Sequence, residues 1–386
     1  MSKKLSRTYV LVIVLILVVL VTLVAFFSGY DYVRLQDSRL KNLQSDIELV
    51  AESKQGQLIN ADTPGAIEVV IPRGADSGDI AKELKDKGLI SNVLMFKILS
   101  KVNGFDDKYK AGKHYLTNDL SYDEMMMLLS ARPKPIKITI VEGMTYKQIQ
   151  KKLIEAGLNI SVDRMDAMVQ RPNQFLEYDF VKDLVSSKNR NWLLQGYLWP
   201  DTYEFDDNMD EEDILRVFLN RTEEILSAND QYQARAEALG MSMDKVLTMA
   251  SLVQAESDFS QMSQIARVFF NRLDLDWPLQ SCASINFLRE EDGKEPIPWA
   301  QEGDLERYKN NPYNTYSNPG LPPGPINNPG TSAIEAVLWP ATERSWSGAS
   351  SYLYFCADGK GKNVFASTLE EQEENIRKYE GSWQQH

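Results

Sequence analysis

The spacing of apolar and polar positions separates one long apolar run from a series of strand and helix patterns. The run Tyr9–Phe27 contains 19 uncharged residues, enough to cross a bilayer as a helix. Lys3, Lys4 and Arg7 precede it, which predicts a cytoplasmic N-terminus and an extracytoplasmic (periplasmic) remainder. The run is too long for a cleaved signal peptide, and no Ala-x-Ala-like site follows it. We therefore expect a single-pass anchor in the inner membrane.

Two later segments, beginning at Ile67 and Ile136, match at a constant offset of 69 residues. Each pattern predicts a strand, a glycine turn and an amphipathic helix that ends at a second glycine. The matched glycines are Gly74 with Gly143 and Gly88 with Gly157. A true repeat and a coincidence of two common strand–helix units both remain open. Between the segments, helices are predicted at Ser91–Val102 and Ser121–Ser130, with a short strand in "YKAGKHYLT".

The aromatic stretch "LQGYLWPDTYEF", Leu194–Phe205, fits either a sugar-binding face or a buried core strand. Beyond Pro278 we expect irregular chain. The loop Asn310–Gly330 holds six prolines and three glycines, which predicts a pre-shaped rather than flexible segment. A hairpin and a charged helix, Leu369–Tyr379, are predicted to close the fold. Further helical patterns cover Asp210–Leu226, Gln231–Ala238, Gln261–Leu273 and Ser332–Leu338.

A carboxylate ends the helical pattern of "GMSMDKVLTMASLVQAES". Val246, Met249, Ala250 and Val253 form an apolar stripe, and Glu256 falls on it. Burial and the negative end of its own helix both disfavour the charged form of Glu256, so we expect a raised pKa. A carboxylic acid that stays protonated can donate a proton to a leaving oxygen. A solvated helix end, or an ion pair with Arg267 or Arg272, is the alternative.

Composition narrows the classes of function that this chain could have. The formal net charge is -13 and the sequence pI is about 4.9, so nucleic acid is not an expected partner. Two histidines, His114 and His386, do not supply a multi-histidine zinc site. No phosphate-loop or dinucleotide motif is present, so we expect neither cofactor nor metal. Whether the two cysteines, Cys282 and Cys356, form a disulfide stays open.

Six segments together resemble the endolytic murein transglycosylase (YceG-like) family of bacterial inner membranes. They occur in the family's order over about 67–379, and as a set they are specific. They are "LQGYLWPDTYEF", "LTMASLVQAES", "ARVFFNRL", "PLQS", "NTYSNPGLPPGPINNPG" and "YLYFCADGKGKNVF". The family's catalytic glutamate lies in a segment similar to Ala-Ser-Ile-Val-Glu-Lys-Glu, where this chain has Gln254 and then Glu256.

The resemblance implies a lytic reaction on nascent peptidoglycan, with Glu256 as the only catalytic acid and base. It also implies penicillin-binding synthases as partners. The expected substrate-binding residues are Gln280, Ser281, Asn314, Thr315 and Tyr316. A hydrolytic muramidase and a non-catalytic peptidoglycan-binding scaffold are the competing interpretations.

The predicted fold class is α+β, with a transmembrane helix, a small LysM-like module and a mixed catalytic domain. Expected boundaries are 1–28 for the anchor, 29–65 for a stalk and 66–133 for the module. A connecting βα subdomain, 134–205, and the catalytic domain, 206–386, follow. Three positions depart from the family: Cys282 replaces an Asp, and Asn363 and Gln372 each replace a His.

Overall fold

The computed structural model describes residues 12–24, 59, 63–72, 74–130, 135–206, 209–256 and 260–383. Helix α1 covers 12–24, and its side chains are exposed. The ends of the predicted anchor Tyr9–Phe27 and nearly all of the predicted stalk lie outside the described residues. Within those ranges, no helix combines the length and apolarity needed to cross a membrane. The anchor and its orientation stay predictions.

The chain divides into two compact units. Unit 1 covers 1–135 and 206–208. Its elements are β1 (Ile67–Ile71), α2 (Ser77–Asp86), α3 (Val93–Val102), β2 (Gly112–Leu116) and α4 (Tyr122–Ser130). β1 and β2 are antiparallel, with Val69 opposite His114, and the inner helix faces bury Ile80, Leu84 and Phe96. The strands and helices predicted for 66–133 occur in the predicted order. The boundaries of the module and its LysM-like character stay predictions.

Both predicted strand–helix units exist. Their glycines have positive φ, which explains why glycine recurs at the same places in both units. Gly74 and Gly143 follow the two strands with φ of 74° and 82°. Gly88 and Gly157 follow the two helices with φ of 74° and 97°. An L side chain is disfavoured at such angles, so glycine at these turns has a backbone cause.

Unit 2 covers 136–205 and 209–386 around one core. The first half contains β3 (Ile136–Thr139), α5 (Tyr146–Glu155), α6 (Val162–Gln170), a 3₁₀ turn (Asn173–Phe175), α7 (Asp179–Leu184), β4 (Thr202–Phe205), α8 (Glu211–Ala228) and α9 (Asp230–Ala238). The second half contains α10 (Met243–Glu256), α11 (Met262–Asp274), α12 (Cys282–Glu291), α13 (Glu302–Arg307), α14 (Thr331–Leu338), β5 (Tyr354–Ala357), β6 (Asn363–Ala366) and α15 (Leu369–Trp383). β3 pairs with β4 and β5 with β6, both antiparallel. The described residues are thus mixed α+β, as expected. The division of the chain into anchor, stalk, module, connecting subdomain and catalytic domain stays a prediction.

The aromatic stretch Leu194–Phe205 is part of the core. Tyr197, Tyr203 and Phe205 are buried, and the ring centroids of Tyr203 and Phe218 lie 4.6 Å apart. Burial, rather than an exposed sugar-binding face, is therefore the outcome for this stretch.

The expectation of irregular chain after Pro278 is wrong, because α12 begins at Cys282. Its sequence, CASINFLREE, is rich in residues of modest helix propensity. Ile285 and Leu288 are buried, so tertiary packing adds to the propensity of the stronger helix formers Ala283, Leu288, Arg289, Glu290 and Glu291. This helix is central to the site.

Candidate active site

Glu256 is the last residue of α10, which packs against α11, α12 and α14. The predicted stripe of Val246, Met249, Ala250 and Val253 is fully buried and fixes the helix in the core. Glu256 itself is half-buried. The helix end therefore presents one carboxylate from a rigid support.

The carboxylate of Glu256 contacts the first residues of α12. Oε1 accepts a hydrogen bond from the Ser281 hydroxyl at 2.5 Å and one from the Ala283 backbone N–H at 3.4 Å. The group thus lies between the carbonyl end of its own helix and the amide end of α12. The first end disfavours the anion and the second favours it.

Burial raises the pKa of Glu256 above its usual range, as expected. The donors at Ser281 and Ala283, and the positive charge of Arg272, act in the opposite direction. In the described part of the chain, Arg267 and Arg272 donate to backbone carbonyls rather than forming an ion pair with Glu256. Glu256 is therefore protonated more readily than a free glutamate. When it is deprotonated, the Ser281 hydroxyl and the Ala283 N–H can stabilise its carboxylate.

Ser281 is held by a buried hydroxyl network behind α12. The Thr315 hydroxyl oxygen accepts from the Ser281 backbone N–H at 3.0 Å and lies 2.9 Å from the Ser284 hydroxyl. Thr315 and Ser281 are each 1% exposed. Ser281 makes no side-chain cap to its own helix, which leaves its hydroxyl for Glu256.

Thr315→Val keeps the shape of the side chain and removes this oxygen. We expect the free energy of unfolding to fall by about 1 to 3 kcal/mol, because the Ser281 N–H loses its buried acceptor. Turnover should fall several-fold as Ser281 loses its position. Urea unfolding and product formation would measure the two effects. Unchanged stability would contradict the network's importance.

The other predicted groove residues surround this network. Asn314 is fully buried; its amide donates to the Tyr308 carbonyl and accepts from the Tyr316 N–H. Gln280 is exposed, and its backbone N–H donates to the Thr315 carbonyl. Asn314 and Thr315 therefore act as positioning residues here, because their buried side chains offer no surface. Direct glycan contact by any of the five predicted residues stays a prediction.

A cleft of about 760 Å³ opens beside Glu256. One face of α12, with Cys282, Ala283, Asn286 and Glu290, runs along it. The start of α5 and residues of two loops also line it. The remaining lining residues include Thr145, Lys147, Gln148, Lys151, Lys294, Ile297, Ile326 and Asn327.

The three family departures lie close to the site or support it. Cys282 lines the cleft, and the Asn363 amide donates to the Glu256 carbonyl at 3.3 Å. Gln372 donates to the Phe355 carbonyl at 3.0 Å and supports β5. Both thiols, of Cys282 and Cys356, are free, which answers the question the sequence left open.

No group of three or more His, Cys, Asp or Glu residues in the described ranges is arranged to hold a metal ion. Sequence reasoning missed the cleft residues Asn286 and Asn327. Asn286 lies in a segment that the sequence pattern predicts to be irregular, so its position on a helix face was not predicted. Asn327 carries a weak signal, since two adjacent asparagines end the proline-rich loop "PPGPINNPG".

Comparison with known proteins places the chain in a family. The model of the YceG-like family matches residues 69–378. A protein of Bacillus subtilis named endolytic murein transglycosylase is 31% identical over 331 residues, covering 83% of this chain and 87% of that protein. A Streptococcus pneumoniae protein of the same name is 28% identical over 347 residues, covering 84% of this chain and 60% of that protein.

A solved structure agrees with this placement. A crystal structure of a putative YceG-like protein from Listeria monocytogenes aligns with a TM-score of 0.52 and 30% identity. The alignment covers 80% of this chain and 98% of that one. The fold, with Glu256 at the wall of the cleft, defines a mixed α+β protein. The chain belongs to the YceG-like family.

Proposed function

We propose that this chain is an endolytic peptidoglycan lytic transglycosylase that uses Glu256 as its single acid and base. The observation that carries the proposal is the position of Glu256, a half-buried carboxylate with a raised pKa at the wall of a cleft. The relatives' name, endolytic murein transglycosylase, supports the reaction class. The substrate is the glycan strand of nascent peptidoglycan.

The reaction needs one proton donor that becomes a proton acceptor. Protonated Glu256 gives its proton to the oxygen between N-acetylmuramic acid and N-acetylglucosamine, and the bond from that oxygen to the muramyl anomeric carbon breaks. The C6 hydroxyl oxygen of the same muramyl residue bonds to that carbon, and Glu256 takes its proton. The products are a 1,6-anhydro-muramyl end and a free 4-hydroxyl group, with no water consumed.

The surroundings of Glu256 fit both halves of this cycle. Burial favours the protonated form that begins it. Once the proton has left, the Ser281 hydroxyl and the Ala283 N–H stabilise the anion. A second catalytic carboxylate, as in most glycosidases, is not required.

Product mass tests the proposal against its alternatives. The full-length chain in detergent is incubated with uncrosslinked glycan strands, and the products are separated by mass spectrometry. We expect anhydro-muramyl ends. Products that carry added water would show a muramidase, and intact strands in the presence of bound protein would show a scaffold.

The pH dependence of turnover follows from the raised pKa of Glu256. The folded group is active when protonated, so turnover should be high below its pKa and fall as pH rises through it. Ser281→Ala removes a donor that stabilises the anion, so the falling limb should move to higher pH. Initial rates at constant ionic strength would show both effects. A flat profile from about pH 5 to 9 would contradict them.

We further propose that the run Tyr9–Phe27 anchors the chain in the inner membrane, with the cleft on the extracytoplasmic side. Its length, lack of charge and preceding basic residues support this arrangement. Cleavage of nascent strands at the membrane would set glycan length, and penicillin-binding synthases are the proposed partners. Protection of the N-terminus from protease in membrane vesicles would test the orientation of the anchor. Cross-linking of the chain to penicillin-binding synthases in cells would test the proposed partners.

A further inference from the structure

Helix α3 of unit 1 carries an exposed apolar face. Four large apolar side chains of this helix are each between 48% and 66% exposed: Leu94, Met95, Ile98 and Val102. With about 3.6 residues per turn, they fall within one stripe about 100° wide; this stripe is the α3 outer face. The opposite face packs into the core of unit 1, where Phe96 is fully buried. Single exposed apolar residues are common, whereas four on one helix face indicate a contact surface.

Positive charge borders the α3 outer face. Residues 87–105 contain three lysines and no acidic residue, although the whole chain has a net charge of -13. Lys97 and Lys101 are exposed and adjoin the apolar stripe at helical spacing. Asp76, the N-cap of α2, lies near Lys97 and partly offsets its charge. An apolar stripe with lysines beside it is typical of helices that lie in the surface of an anionic bilayer.

A bilayer matches this face better than a second copy of the chain does. Symmetric pairing of two α3 outer faces brings the same lysines of both copies together, which is unfavourable. Anionic phospholipids instead present negative headgroups above an apolar layer, so they complement both the lysines and the apolar stripe. Residues 28–66 connect the proposed anchor to β1 of unit 1. The anchor therefore tethers this unit to a bilayer.

We propose that the α3 outer face binds the anionic phospholipid surface of the membrane that holds the proposed anchor. Leu94 and Ile98 enter the boundary between headgroups and acyl chains, and Lys101 contacts the headgroup phosphates. Because the anchor makes this contact intramolecular, a weak and reversible affinity is enough to orient unit 1. The inference rests on the proposed anchor and not on the lytic reaction, since the cleft beside Glu256 is lined by residues of unit 2.

A fluorescent label that reports contact with lipid tests this surface. Full-length chains carrying Ile98→Cys or Val70→Cys are labelled with nitrobenzoxadiazole and reconstituted into vesicles whose lipids carry a doxyl quencher in the acyl chain. The native thiols should react slowly, because burial raises the pKa of Cys282 to about 12 and the pKa of Cys356 to about 11. The unsubstituted chain, treated in the same way, gives the background.

Val70 provides the matched control position. Its side chain is apolar and 43% exposed. It lies on the face of β1 opposite to Val69, and Val69 packs in the same core as Phe96 of α3. Val70 and the α3 outer face are therefore on opposite sides of this core.

The lipid composition of the vesicles tests the role of charge. In vesicles that contain phosphatidylglycerol, the doxyl lipids should quench the label at position 98 and leave the label at position 70 at background. In phosphatidylcholine alone, the ratio of bound to free α3 should fall by about tenfold or more, because each lysine contributes about fivefold near an anionic surface.

Substitutions in the Ile98→Cys chain test charge and apolar contact separately. Lys101→Gln should lower the ratio of bound to free α3 about fivefold in phosphatidylglycerol vesicles. Lys360→Gln, the same change at an exposed lysine between β5 and β6, should leave the ratio within about twofold. Leu94→Ser should lower it about tenfold, because the most exposed side chain of the stripe loses its contact with lipid. Circular dichroism checks that each variant is folded.

Three results would overturn the surface. One is lipid quenching at position 98 that is absent, or no greater than at position 70, in phosphatidylglycerol vesicles. Another is an equal effect of Lys101→Gln and Lys360→Gln, which would contradict recognition of anionic lipid. The third is a label at position 98 that is shielded from aqueous iodide at high chain density but not quenched by lipid, which would show a second copy on this face.

Alkaline extraction of the vesicles separates failure of this surface from failure of the anchor. Chains that resist extraction but show no quenching at position 98 would reject the surface alone. Chains that are quenched at position 98 and released by alkali would reject the anchor alone. Leu94→Ser should form anhydro ends from soluble strands at the wild-type rate, so failure of the lytic reaction is observed independently of lipid contact.

Discussion

Glu256→Gln should reduce the formation of anhydro-muramyl ends by about 1,000-fold or more. General acid–base catalysis contributes about 10² to 10⁴ in rate, and here one group supplies both the acid and the base. Glutamine keeps the size of the side chain and an oxygen that accepts from Ser281 and Ala283. It has no proton to transfer at any working pH. Mass spectrometry of the products from uncrosslinked strands measures the loss.

A second carboxylate in the same cleft provides the matched control. Glu290 also has a pKa raised by burial, and its Oε1 accepts from the Thr145 hydroxyl at 2.9 Å. It lies two helical turns along α12 from the Ala283 N–H that contacts Glu256. Glu290→Gln should therefore retain more than about a tenth of wild-type turnover, since glutamine keeps an oxygen that can accept from Thr145. Equal losses in both variants would argue against a unique acid.

Loss of activity in Glu256→Gln should occur without loss of stability. The folded pKa of Glu256 lies above its unfolded value. The folded state therefore binds the proton more tightly, and stability falls as pH rises from the unfolded pKa through the folded one. Glutamine removes that penalty, so at neutral pH the variant should be at least as stable as the wild type. A large drop in melting temperature would make the activity result uninformative about catalysis and contradict the raised pKa.

Arg272→Leu should have the largest effect on stability, about 4 kcal/mol in the free energy of unfolding. Arg272 is 6% exposed. Its guanidinium donates to the carbonyls of Leu353 and Leu279 at 2.6 and 2.7 Å, and more weakly to that of Pro278 at 3.2 Å. Leucine fills part of the space and leaves these buried acceptors without a donor. The shift of the urea midpoint, at constant slope, measures the change.

The same substitution should also reduce turnover, because Arg272 holds the turn that leads to Ser281. Asp276 and Gln280 in that turn have φ of 55° and 50°, a strained backbone for residues other than glycine. Without the guanidinium the turn should relax and move the hydroxyl away from Glu256. We expect at least a tenfold loss in the fraction that remains folded.

Arg267→Leu, on the same helix, is the comparison for Arg272. Arg267 is half-buried and makes one backbone hydrogen bond, from its Nε to the Ala341 carbonyl at 2.6 Å. It should cost about 1 kcal/mol and leave turnover close to wild type. Similar effects of the two substitutions would show that general burial, rather than the turn, explains the role of Arg272.

The local patterns of the chain determined much of the fold and the identity of the acid. Helix α10, its apolar stripe and its terminal Glu256 followed from residue spacing, because a helix has a fixed period. The two glycine turns could be predicted because the turns at Gly74 and Gly143 need a positive φ, which glycine adopts without strain. The raised pKa of Glu256 followed from burial on that stripe.

Tertiary structure alone decided how the acid is surrounded. The N-terminus of α12 lies beside Glu256 because Ile285 and Leu288 pack into the core, and that packing depends on residues distant in sequence. For the same reason Thr315, expected at a groove surface, lies beneath Ser281, and Asn327 reaches the cleft through Ser251. A sequence states which side chains can donate or accept, whereas only the folded chain determines which partners each of them finds.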